Sequence, residues 1–245
     1  MPDIGVPSTV TPVLLTFLDL VRRLAQEVGA TKDPVTAIPT IQGVTGEVKR
    51  FADWISTAWW DIQNIHTDWR FLRRSTTFVT VDGQATYTPL EAGVTLGTFG
   101  QWDLKSFRVY NTAAGINNEI DLTEMDYDAW RNFYQFSSMR SSKSQPTRIT
   151  ETPDSSLGLG QVPLVGYTVY GDYYLAPVNL IADGDIPTLP SKHDKMIIVY
   201  KSMEDHGYFE AASEVLGRGK SRYKGMLNRL EMDQLKQIYS GGALA

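Results

Sequence analysis

The chain has 245 residues, 42% of them hydrophobic, a formal net charge of −5, a pI near 5.2 and no cysteine. That length and apolar content suffice for a sizeable core, in one irregular domain or two smaller ones, so disorder is not the default. The acidic balance argues against a general duplex-DNA binder, which needs a basic face for phosphates, and the lack of thiols excludes disulfides, cysteine-ligated zinc, iron–sulfur clusters and a thiolate nucleophile.

The apolar run Val13 to Val21 follows Met1, Pro2 and Asp3, which supply no basic flank, and Asp19 interrupts it. It therefore reads as a core-facing helix rather than a signal-peptide core. Thr11 and Pro12 give a cap and first turn, and Leu14, Phe17, Leu18, Val21, Leu24 and Val28 keep helical spacing until Gly29. Residues 30–44, with Pro34, Pro39 and Gly43, have no period and read as a long extended loop. The strongest helical signal runs from Gly43 to Arg74. Val48, Phe51, Ala52, Ile55, Trp59, Ile62, His66 and Trp69 recur at steps of three and four, with Thr45 as cap and Glu47 at the positive end of the dipole. Trp54 and Trp60 lie off that stripe, which implies a helix packed between several elements or against another subunit.

Ser75 to Val81, Asp82-Gly83 and Gln84 to Thr88 read as a hairpin with a two-residue turn. Leu104 to Tyr110 alternates as a half-buried strand, followed by a loop over 111–118. Thr123 is expected to cap a short helix reaching about Gln135, with Tyr127, Trp130 and Tyr134 on one side, before a surface loop from Ser137 to Gln145. A second hairpin follows, pairing Pro146 to Glu151 with Ser156 to Gly160. Tyr167 to Ala176 then reads as a strand bulged at Gly171, and Pro187 and Pro190 close the region. Ser191 is expected to cap a helix to about His206, which Gly207 ends or kinks. The last helical stretch, Phe209 to Tyr239, carries Gly217, Gly219 and Gly225, each costing about 1 kcal/mol relative to alanine in a helix interior. Such a helix is expected to need a partner surface. Between Val162 and Ala182, Pro163, Gly166, Gly171 and Pro177 would break a membrane-spanning helix.

Helices, then strands with one short helix, then helices: the order predicts an α+β fold. A helical layer from the N- and C-terminal segments (residues 1–74 and 188–245) holds an inserted antiparallel β-rich domain, sandwich or barrel-like, over 75–187.

The residues offer little chemistry. His66, His193 and His206 fall in no metal-ligand spacing and read as structural or surface groups. Asp183-Gly184-Asp185 resembles the opening of a calcium loop, but Thr188 and Asp194 stand where that loop needs glycine and glutamate, so it reads as a turn. Gly158 and Gly160 lack the third glycine of a dinucleotide loop, and no Gly-x-Ser-x-Gly elbow occurs. Neither enzyme, cofactor nor metal site is expected. Two cationic clusters suggest surfaces instead: Arg70, Arg73 and Arg74, readable as a helix terminus or a nucleic-acid contact, and Arg218, Lys220, Arg222, Lys224 and Arg229, readable as a solvated face or a dock for an acidic partner. Tyr167, Tyr170, Tyr173 and Tyr174 leave open an alternative, a sugar- or surface-binding accessory module.

Several patterns together resemble the head-to-tail adaptor (connector) proteins of tailed bacteriophages. One is Gly46-Glu47 at the start of the aromatic helix, with Trp54-Ile55, Ala58-Trp59, Ile62-Gln63 and Trp69-Arg70-Phe71. The other is Tyr173-Tyr174, Pro177, Leu180, Asp183, Asp185, Pro187 and Leu189-Pro190, leading to Ile198-Val199-Tyr200 and then Tyr208, Glu210 and Ala211. These cover about the first and last thirds of the chain; residues 90–144 match least. The resemblance implies a virion protein assembled in the host cytoplasm, forming a homo-oligomeric ring, typically a dodecamer, under the portal protein. It further implies a C-terminal arm bound to the portal, a β-rich part facing a downstream tail or nozzle protein, and DNA passing through without sequence-specific binding. On this reading Trp54, Trp59, Trp60 and Trp69 serve the subunit interface and Arg218, Lys220, Arg222, Lys224 and Arg229 the portal. Removing residues after Gly217 is then expected to leave a folded core that cannot dock. Twelve copies at −5 give about −60, a wall that repels DNA within a screening length of about 8 Å.

Overall fold

The computed structural model describes residues 15–235 apart from 96 and 137, so the expected helix start at Thr11 and Pro12, the apolar Leu14, Ser137 and the end near Tyr239 lie outside the described residues. In chain order the helices are α1 (Phe17–Glu27), α2 (Pro34–Ala37), α3 (Gly46–Ile65), α4 (Tyr127–Trp130), α5 (Met196–Phe209) and α6 (Ser213–Gln234). The strands are β1 (Arg73–Val79), β2 (Thr86–Tyr87), β3 (Phe99–Asn111), β4 (Ile120–Asp121), β5 (Thr123–Glu124), β6 (Arg148–Glu151), β7 (Leu157–Gly160) and β8 (Tyr167–Leu175). The fold is α+β. Two compact units form, one from Met1–His66 with Val178–Ala245 and the other from Thr67–Pro177, so the boundaries fall ahead of the expected 74 and 187.

In the helical unit, Thr16 caps α1 through a reciprocal pair with Asp19, and Phe17, Leu20, Val21 and Leu24 turn inward. The loop expected after it is not wholly extended: Asp33 caps the single turn α2, and Ile38 and Ile41 are buried beyond it. Along α3, Phe51, Ile55, Trp59 and Ile62 are buried at the helical step. Thr45 stands at the cap position with extended backbone, but its side chain makes no capping hydrogen bond. The helix also stops at Ile65, short of Arg74, because His66 takes extended backbone at φ −134° and ψ 133°. Trp69 therefore belongs to the β-rich unit.

The β-rich unit holds two four-stranded sheets, ordered β1-β8-β3-β4 and β2-β7-β6-β5, antiparallel except where β5 runs parallel to β6; neither closes into a barrel. The expected hairpin across Asp82-Gly83 does not form, since β1 pairs with β8 and β2 with β7 in the other sheet. The turn itself is present, with Gly83 at φ 81° and Gln84 N donating to Val81 O at 3.1 Å, and it carries the chain from one sheet to the other. The Tyr87 hydroxyl fixes this corner by accepting from Val81 N at 2.9 Å and donating to Gln84 O at 3.0 Å. The β6–β7 hairpin forms as expected. Thr123, expected as a helix cap, lies in β5; Asp126 caps α4 instead, and a π-helical turn carries on from Arg131 to Gln135.

The expected bulge at Gly171 is displaced to the facing strand. β1 pairs with β8 without interruption through Gly171, whereas the β3 register slips between Asp103 and Arg108. Phe107 lies in that slip, and a Cβ added at Gly171 would sit 2.5 Å from its ring. Phe107 is buried in a cluster with Phe78, Tyr87, Trp102, Leu157 and Val169 that draws on both sheets. Gly171→Ala is accordingly expected to destabilise the protein by about 1–3 kcal/mol, as overpacking does in a filled core. Urea unfolding followed by tryptophan fluorescence measures this, and an unchanged midpoint would contradict the packing described.

Candidate interaction surfaces

Helices α5 and α6 lie back to back because two glycines remove the side chains that would separate them. A Cβ at Gly207 would come 2.8 Å from the Leu216 backbone, and one at Gly219 would come 3.0 Å from both Met203 Cβ and Tyr200 O. Gly207 thus continues α5 rather than ending it. Leu230 and Gln234 are buried on the inner side of α6, and burial raises the Tyr223 phenol's pKa, with Glu204, Asp61 and Glu231 adding to it. The last turn is tied down as well. Glu231 meets His66 Nε2 at 2.9 Å, while Asp233 meets His193 Nε2 at 3.0 Å and Lys192 Nζ at 2.5 Å. The hydrogen bond from His193, then those from Lys192 and Gln234, hold the Asp233 carboxyl well below its usual range. The sequence-based expectation that α6 needs a foreign surface is therefore corrected: α5 supplies it.

The five cations expected to meet the portal, Arg218, Lys220, Arg222, Lys224 and Arg229, are all exposed on α6. Arg218 donates to the Glu27 carbonyl and lies 3.7 Å from its carboxylate, Lys220 donates to the Tyr208 hydroxyl at 2.6 Å, and Arg222 stacks 5.5 Å from the Tyr200 ring centroid. These contacts set the charged heads in place without burying them.

An aromatic corner lies at the end of α5. Tyr208 and Phe209 are 62% and 57% exposed, Arg50 caps the Phe209 ring at 4.5 Å, and half-buried Trp54 packs between Phe209 at 5.7 Å and His206 at 5.6 Å. His206 is buried, which lowers its pKa, and its Nδ1 has no hydrogen-bond partner. On α3, Trp60 and Ile65 are each 40% exposed. Trp59 and Trp69, expected at a subunit interface alongside Trp54 and Trp60, are wholly buried in the chain's own core and present no surface to a neighbour.

Other sequence candidates resolve into scaffolding. Asp183 accepts from Thr40 Oγ1 at 2.6 Å and from Ile41 N at 3.2 Å, while Asp185 accepts from Ile181 N and Ala182 N, so both carboxylates close loops. Gly158 lies beneath Trp130, and a Cβ added there would sit 2.9 Å from its ring. Arg73 bridges Asp103 at 2.9 Å and Asp172 at 2.7 Å, and Arg74 donates to the Phe71 and Arg73 carbonyls, leaving Arg70 as the outlying member of that cluster. Tyr167, Tyr173 and Tyr174 are buried, so the strand expected as a sugar platform offers no stacking face there. Among the described residues no group of three or more metal-ligating side chains gathers, and no helix is long and apolar enough to cross a membrane. What sequence reasoning missed is the pair Tyr208 and Phe209. Their signal was two adjacent aromatics at a helix end, followed by Glu210 and Ala211 rather than by a further apolar step.

A family model described as SU10 adaptor protein matches residues 15–243, and the chain belongs to that family, as a structural adaptor of the bacteriophage virion. No curated protein matches it.

Because α6 covers α5, ending the chain after Gly217 is expected to cost the helical unit its fold rather than leave a competent core. Circular dichroism would show lost helicity and a broadened melt, and a wild-type melt would contradict this. Asp233→Asn is expected to lower the melting temperature at pH 7. A depressed carboxyl pKa contributes stability above its unfolded value of about 3.9, so the gap between variant and wild type should shrink as the pH falls below about 4. A gap that stays constant down to low pH would contradict the pairing.

Proposed function

We propose that this adaptor forms a dodecameric ring beneath the portal, closes the packaged head, lines the channel through which DNA leaves and presents its β-rich unit to the next tail component. The observation that carries the reading is the charge of α6: five exposed cations on a chain whose net charge is −5. A basic helix on an acidic protein suits a contact with an acidic partner, and the acidic remainder suits a conduit that must not hold DNA. Family membership supports association with other virion proteins. For the contact between neighbouring subunits, exposed Trp60 and Ile65 and the Trp54–Phe209–Arg50 corner supply the tryptophan, aromatic and arginine anchors typical of interface centres. Assembly in the host cytoplasm follows from the resemblance to head-to-tail adaptors.

Multi-angle light scattering and negative-stain microscopy, with and without the cognate portal protein, test the proposal. The expected result is a ring on the portal, with Trp60→Ala reducing ring formation while the monomer's melting temperature stays within a few degrees of wild type. A protein that remains monomeric and never joins the portal contradicts it.

A further inference from the structure

The solvent side of α6 is bare along its middle. Gly217, Ser221 and Gly225 are four residues apart, share one helix face and are all exposed. A Cβ added at Gly217 or Gly225 would meet nothing within 4 Å, unlike at Gly219. Packing within the chain therefore does not require either glycine, although each lowers helix stability by about 1 kcal/mol relative to alanine.

Beside this bare strip opens a pocket of about 400 Å3, lined by Ser221, Arg222, Gly225 and Arg229 of α6, Tyr200 of α5 and Asp194. The Arg222 guanidinium is held against the Tyr200 ring, and the Asp194 carboxylate already accepts from Met196 N at 2.9 Å. Two arginines thus face one engaged carboxylate, with Arg218, Lys220 and Lys224 adding positive charge along the same helix.

We propose that this side of α6 seats an acidic helix of the portal, its carboxylates entering between Arg222 and Arg229 and its backbone closing on Ser221 and Gly225. The inference rests on the assignment of α6 to the portal contact. Arginine forks match carboxylates with two parallel hydrogen bonds, which favours an acidic side chain over a diffuse anionic surface. Small residues let two helices pack toward the near end of the usual spacing of about 8–10 Å. A nucleic-acid backbone would be drawn by the cations alone and would have no use for the missing side chains.

The test compares wild type with Gly225→Leu and with the double variant Arg222→Glu, Arg229→Glu for binding to the assembled portal by biolayer interferometry. Gly225→Leu is expected to raise the melting temperature, since leucine is the better helix former, and yet to weaken portal binding roughly tenfold or more. The double variant should melt as a folded protein and bind at least as poorly. Wild-type binding by both variants would overturn the seat on α6 while leaving the portal role intact, and a wild type that never binds the portal would overturn both. Variants that keep portal binding but lose ring assembly or duplex-DNA binding would overturn the choice of occupant.

Discussion

The backbone of α6 runs against α5 at Gly207 and Gly219, where the nearest atoms would lie 2.8–3.0 Å from any Cβ. The placement of α6 in the helical unit follows from that close approach. It buries Leu230, Gln234 and Met203, brings Glu231 and Asp233 within reach of His66 and His193, and fixes which side of α6 is left to solvent. Backbones can come this near only where no side chain intervenes, so a helix that looks weak by propensity is held by its fit instead. The solvent side is left to Gly217, Ser221 and Gly225, with the exposed cations beside it.

The β-rich unit solves its own packing by the same device at another place. Phe107 leaves the β3 ladder at a register slip and lies over Gly171, which puts a bulky ring at the centre of a cluster drawn from two open sheets. Arg73, set between Asp103 and Asp172, neutralises two carboxylates on neighbouring strands of one sheet, so a cation that suggested nucleic-acid contact is engaged by the fold. Charge near a strand is informative about binding only after its local partners are known.

The helical period of Phe51, Ile55, Trp59 and Ile62, and the β6–β7 hairpin, were legible in the sequence because the burial of one face imposes a repeat. The α+β order was legible for the same reason. The pairing of β1 was not: an Asp-Gly turn marks a change of direction, but which sheet the next strand joins depends on β7 and β8, far along the chain. Trp59 and Trp69 show a similar limit, since aromatic surplus on a helix does not say whether the neighbour is another chain or the same one. The cations of α6 were readable as charge, whereas its inner face was disguised, because a glycine that disfavours a helix in isolation is what admits this one to its place. Gly217, Gly219 and Gly225 look alike in sequence, and only the folded arrangement separates the packed one from the two that are open.

Hydrogen–deuterium exchange on the isolated protein tests the central claim most directly, because it asks whether α6 is held by its own chain before any partner arrives. Backbone amides of α6 from about Gly219 to Leu230 should exchange as slowly as those in the middle of α3. Rapid exchange throughout α6 while α3 stays protected would mean that the helix is completed only by a foreign surface, and would contradict the claim that its fit against α5 holds it.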